Sequence, residues 1–243
     1  TDLFLDRLAA HPDRVAAGDS ASGVRTYRQL GLGCALLRRA IAKLPGPYVG
    51  VMLPASVGAG VVTLATLFAG RTPVMVNWTL GGRNVRACLE RLDVPRVLTA
   101  RALVERIAAQ GTDLSEVSDR FVYMEDLRAA MSLPGKLAGV ARARLGFRGL
   151  RRARVPDLCG VVFTSGSETE PKAVPYTHAN ILANLRDIPK ALHLRTDDVL
   201  LSFLPPFHTF GLTVGTFLPL CMGMRAAYHA NPNEAGALAK MAA

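Results

Sequence analysis

The residues best suited to chemistry lie in one run, Val161-Val162-Phe163-Thr164-Ser165-Gly166-Ser167-Glu168-Thr169-Glu170-Pro171-Lys172. A short apolar segment ending in small hydroxyl residues and a glycine is what a buried strand needs to present a turn that grips phosphate. Gly166 lets the backbone approach an anion, while Thr164, Ser165, Ser167 and Thr169 offer hydroxyls beside free N–H groups. Lys172 adds a mobile positive charge. The run does not fit GxxxxGK[ST], because it lacks the first Gly and the hydroxyl after the Lys, and it does not fit GxGxxG.

A second candidate, His208, follows Leu204-Pro205-Pro206-Phe207 and precedes Thr209-Phe210-Gly211. Taken alone, a histidine between such neighbours reads as a hydrogen-bonded core residue. His178 follows Thr177, an N-cap type, so its position suggests capping of a helix start. Trp78, the sole tryptophan, reads as packing, and His11, His193 and His229 show no constellation.

The elements that would position these residues alternate. An opening helix over 2–10 and a hairpin of Val15–Asp19 with Val24–Tyr27 precede a helix after Thr26. Strands are then predicted at Tyr48–Leu53, Pro73–Asn77, Arg96–Thr99, Phe121–Met124, Cys159–Thr164, Val199–Leu204 and Met224–Tyr228. Helices fit Ser56–Ala69, Gly82–Leu92, Arg101–Ala109, His178–Leu192 and Phe207–Cys221. Short continuous apolar strands separated by helices argue for an α/β fold: a mostly parallel sheet with helices on both faces. Ligands of such sheets sit beyond the carboxyl ends of the strands, where both the Thr164 loop and the Pro205–His208 turn fall.

At 243 residues, half of them apolar, the chain is long enough to bury a full core. Its four cysteines have no CxxC spacing, which excludes a zinc site and a disulfide framework and predicts a reducing, cytoplasmic setting. The stretches 44–70 and 199–224 carry no Asp, Glu, Lys or Arg and exceed the roughly 20 residues of a membrane span. Both are broken by Pro and Gly and read as buried core. Of the net charge of +10, seven cations fall between Lys136 and Arg154, with no acid between Asp126 and Asp157. That basic stretch, 136–154, suits an anionic membrane surface, such as the inner membrane, or an acidic carrier protein, and equally a solvated helix or loop. No nucleic-acid motif accompanies it, which excludes nucleic acid as the favoured partner.

Taken together, Thr-Ser-Gly-Ser-x-x-x-Pro-Lys, Thr177-His178-Ala179-Asn180-Ile181 and the Leu204–Gly211 run resemble the adenylate-forming (AMP-binding) enzyme superfamily. The sequence is most similar to its fatty acyl–acyl carrier protein synthetase / 2-acylglycerophosphoethanolamine acyltransferase branch. The resemblance implies the fold of the large domain of those enzymes, with ATP and Mg2+ as cofactors. It also implies activation of a fatty acid as acyl-adenylate, with CoA or acyl carrier protein as thiol acceptor. By position, Thr164, Ser165, Gly166, Ser167, Glu168, Thr169 and Lys172 would wrap the β- and γ-phosphates. His208 would lie near the carboxylate, with Phe207 and Phe210 as apolar wall.

Three positions depart from the commonest family pattern: Glu168, Thr169 and Ala173 stand where Thr, Gly and Gly are usual. Thr169 removes a flexible position and Glu170 adds negative charge beside an anion site, so weakened phosphate binding is expected. The sequence holds no Tyr-Gly-x-Thr-Glu segment. It reads as a partial N-terminal domain: 1–133 as a first βα half, 134–156 as a basic connector, and 157–243 as the start of a second half. Such a fragment is not expected to complete adenylation by itself. A second reading keeps the fold as a non-catalytic module that binds an acyl chain or a carrier protein.

Overall fold

The computed structural model describes residues 1–131, 147–164 and 171–242. The expected α/β architecture forms, and its strands sort into two sheets. A six-stranded sheet contains β3 (Tyr48–Met52), β4 (Thr72–Met75), β5 (Val97–Thr99), β6 (Phe121–Tyr123), β7 (Leu158–Thr164) and β8 (Lys172–Thr177) in the order β6-β5-β3-β4-β7-β8. All its pairings are parallel except β7 with β8. A four-stranded sheet, ordered β2-β1-β10-β9, combines the hairpin β1 (Val15–Asp19) and β2 (Gly23–Thr26) with β9 (Val199–Ser202) and β10 (Arg225–Tyr228). Its β1–β10 and β10–β9 pairings are parallel.

Helix α1 (Asp2–Ala10) buries Phe4, Leu5 and Leu8. Helix α2 (Tyr27–Ile41) starts at a reciprocal cap in which Thr26 accepts from the Gln29 N–H and the Gln29 side chain accepts from the Thr26 N–H. Helix α3 (Val57–Phe68) is capped by Ser56, whose hydroxyl accepts from the Ala59 N–H. All of α3 except Gly58 is buried, because it contacts β3 and β4 on one side and β1 of the other sheet on another. A helix enclosed from all sides needs no polar face, which is why the uncharged stretch 44–70 lacks one. Among the described residues no helix is long and apolar enough to cross a membrane.

Further along come α4 (Gly82–Arg91), α5 (Arg101–Ala109), α6 (Met124–Ala129), α7 (Arg148–Arg151) and α8 (His178–Ala191). The helix expected over Phe207–Cys221 is instead three pieces: α9 (Thr209–Leu212), a π-helical turn over Thr213–Phe217, and α10 (Leu218–Met222). Thr216 Oγ1 donates to the Gly211 carbonyl across the wide turn, and Pro219 opens the last piece without an N–H to give. Helix α11 (Ala235–Ala242) closes the described chain. Strand β8 is the element with no counterpart in the predicted strands. Half of Lys172–Thr177 is exposed and half only partly buried, as befits an edge strand, so no apolar run marks it.

Candidate functional site at the seam of the two sheets

Strand β7 delivers Thr164 to its carboxyl end as the first exposed residue after five buried ones. Thr164 pairs directly with Lys172, the first residue of β8, in the antiparallel β7–β8 pair. Ser165, Gly166, Ser167, Glu168 and Thr169 lie outside the described residues. Just before β8, the Pro171 carbonyl accepts from the guanidinium of Arg91 at the end of α4 at 3.2 Å. Nothing in the sequence pattern pointed to Arg91.

The turn carrying His208 follows β9 of the other sheet, and the two sheets meet through it. Phe207, 5% exposed, places its ring edge-on to Trp78 with centroids 4.5 Å apart. Trp78 stands just beyond β4, a direct neighbour of β7 in the six-stranded sheet, so its expected packing role is the one it takes. His208 is exposed, with its ring tilted against Phe207 at 4.6 Å. One residue on, Thr209 Oγ1 shares a hydrogen bond of 2.9 Å with Tyr176 Oη of β8. Tyr176 lies opposite Gly160, four residues from Lys172, so this bond joins the base of the β7–β8 hairpin to the histidine turn. Phe210 is 60% exposed, so the apolar wall at this place is made by Phe207 and Trp78.

The turn keeps its shape because Gly211 lies against backbone. A Cβ there would stand 2.2 Å from the Pro205 carbonyl oxygen and 2.6 Å from that of Leu204. Only a glycine allows the start of α9 to fold back onto the Pro-Pro segment.

Thr177 caps α8 in a reciprocal arrangement with Asn180. His178, read from sequence as the capping group, instead bonds through Nε2 to the Pro156 carbonyl at 3.1 Å, fastening α8 to the segment that leads into β7. Burial holds the His178 imidazole below its ordinary pKa, with the Pro156 carbonyl opposing. The four cysteines are free and buried. Burial pushes Cys88 and Cys221 up to about 11 and Cys159 to about 12, and raises Cys34 as well, so none is an available thiolate.

Beside the seam, a cavity of about 630 Å³ opens past the ends of β1, β3 and β5. Leu30, Leu53 and Leu103 line it, and Arg25, Arg106 and Arg128 bring three cations to it. Residues 132–146, the greater part of the basic stretch, lie outside the described residues. The described part, 147–154, packs on α1 and α2: Arg151 pairs with Asp6 at 3.6 Å, and Arg38 donates to the Gly149 carbonyl.

Two sheets joined through buried helices, with the β7–β8 hairpin of one in contact with the Pro-Pro-Phe-His turn that follows β9 of the other, define a class of α/β domain. The model of the AMP-binding enzyme family matches residues 4–242, and the chain belongs to that family. It is 28% identical over 219 residues to 4-coumarate–CoA ligase-like 9 of Oryza sativa subsp. japonica, covering 87% of this chain and 39% of that protein. It is 26% identical over 215 residues to human long-chain-fatty-acid–CoA ligase 6, covering 81% of this chain and 30% of the relative.

Among solved structures, O-succinylbenzoate CoA synthetase from Bacillus subtilis in complex with AMP superposes with a TM-score of 0.73 at 17% identity, covering 99% of this chain and 58% of that one. A fatty acyl-adenylate ligase from L. pneumophila, in complex with acyl adenylate and pyrophosphate, gives 0.71 at 18% identity, covering 95% and 39%. These likenesses show the fold, and the chain spans well under half the length of the two ligases named first.

Proposed function

We propose that the chain is the N-terminal part of the large domain of an ATP-dependent acid–thiol ligase, and that it holds the polyphosphate of MgATP. The observation that carries this reading is the meeting of the Thr164–Lys172 hairpin and the His208 turn at the seam of the two sheets. In the reaction, a fatty carboxylate oxygen attacks the α-phosphorus, and the bond to pyrophosphate breaks. Acyl-adenylate remains, and a thiol then attacks its acyl carbon and releases AMP. Pyrophosphate leaves readily only where its growing charge is met. Thr164, Ser165, Gly166, Ser167, Glu168 and Thr169 contribute hydroxyls and backbone N–H groups to that task, and Lys172 a positive charge. His208 sits beside the carboxylate, its ring steadied by Phe207.

The names of the two ligases above support CoA as the acceptor, and the three arginines of the 630 Å³ cavity, which Asp19 also lines, suit a phosphate-bearing thiol. The unpaired, buried thiols support a cytoplasmic setting. The 243 residues by themselves bind nucleotide without turnover, so fatty-acid-dependent ATP–pyrophosphate exchange by this chain would overturn that part of the proposal.

Titration with MgATP tests the phosphate site directly. Saturable binding that Lys172→Ala abolishes supports the proposal. No binding at millimolar ATP favours a non-catalytic acyl- or carrier-protein-binding module, a reading that Thr169 and Glu170 in the loop recommend.

A further inference from the structure

The end of the six-stranded sheet away from the candidate site gathers several arginines, beside the exposed acids Asp93 and Asp157. The C-terminal half of α2, the turn leading into β3, the start of β4 and the segment from α7 into β7 all gather there. Arg71 donates to the Leu44 carbonyl at 3.1 Å, and a Cβ on Gly70 would stand 3.2 Å from the Arg154 carbonyl oxygen. Strand β7, with seven residues, separates this end from Thr164 by about 20 Å.

Between α2 and α7 runs a groove of about 490 Å³, with Ala35, Ala42 and Leu150 on its walls and Arg38, Arg39 and Arg148 around them. Arg39, Arg148 and Arg152 are exposed. Among the described residues none of the three forms an ion pair, whereas Arg151 is matched by Asp6. Burying no counter-charge, these guanidiniums are arranged to meet an external surface rich in phosphate, which they pair with bidentately.

We propose that this face docks on an anionic phospholipid bilayer, leaving the candidate site at the opposite end of the sheet open to water. The position decides between two polyanionic partners. An acidic carrier protein bound here would have to deliver its thiol to the far end of the sheet, whereas a membrane has no such requirement. The docking is independent of the adenylation chemistry, so its test and the MgATP titration fail separately.

The test is co-sedimentation of the chain with vesicles of phosphatidylcholine alone and of phosphatidylcholine mixed with phosphatidylglycerol. Binding is expected to the mixed vesicles only and to weaken as salt rises. Each arginine near an anionic surface contributes about fivefold in affinity, so Arg39→Ala with Arg148→Ala weakens binding by about 25-fold. Arg83→Ala, an exposed residue of α4, leaves it unchanged. Absence of vesicle binding at low salt, an unaffected double variant, or an equal loss in Arg83→Ala overturns the proposal. So does capture of acyl carrier protein, lost in the double variant, without any vesicle binding.

Discussion

The six-stranded sheet and the four-stranded sheet are built by different rules. The larger one takes its strands from a single continuous part of the chain, Tyr48 to Thr177, and its inner strands are buried nearly throughout. The smaller one brings Val15–Thr26 together with Val199–Tyr228, and its strands are mostly half-buried or exposed, with β2 burying no residue. A strand enclosed on both faces announces itself as an apolar run, while a half-covered strand depends on its distant partner. The candidate site lies where these two kinds of structure meet, with β7–β8 on one side and the turn after β9 on the other.

The largest expected effect tests whether the two sheets are one cooperative unit through α3. Phe68, 1% exposed and in ring contact with Phe4 at 6.4 Å, belongs to the core cluster that draws residues from both sheets. Phe68→Ala is expected to cost about 4 kcal/mol. Urea unfolding followed by far-UV circular dichroism and by Trp78 fluorescence should show one shared transition. Two separate transitions would mean that the sheets unfold independently and that α3 does not couple them.

A smaller and more local effect belongs to the four-stranded side of the seam. Gly211→Ala drives a Cβ into the Pro205 carbonyl, and opening the turn to relieve it is expected to cost about 3 kcal/mol. Because Phe207 sits on Trp78, the variant should also shift the tryptophan emission of the folded protein. A native spectrum with unchanged stability would show that the turn does not depend on this close approach.

The smallest effect lies on the six-stranded side and appears only in acid. The folded state holds His178 below its ordinary pKa of 6.5 by burial, so the unfolded chain binds the proton more tightly. Stability contributed by the neutral ring is present above about 6.5 and is lost as pH falls through the lowered folded value. Denaturation midpoints should therefore drop on acidification, and His178→Gln should flatten that limb. An unchanged slope in the variant would assign the acid sensitivity to another group.

The sequence by itself determined what depends on neighbours along the chain. The apolar runs of β3 and β7, the hairpin of β1 and β2, the caps at Thr26 and Thr177, and the buried α3 are all set by local pattern. The hydroxyl loop and the Leu-Pro-Pro-Phe-His run are legible for the same reason, since their meaning resides in spacing. Tertiary structure alone decided that the strands divide into two sheets and that β10 pairs with β1. It also set the contacts of Arg91 with Pro171, Trp78 with Phe207 and Tyr176 with Thr209. These groups are distant in the chain and of unlike type, so no period or local motif encodes their meeting. Their positions follow from how the helices between the sheets pack, and that packing is what brings the β7–β8 hairpin into contact with the histidine turn.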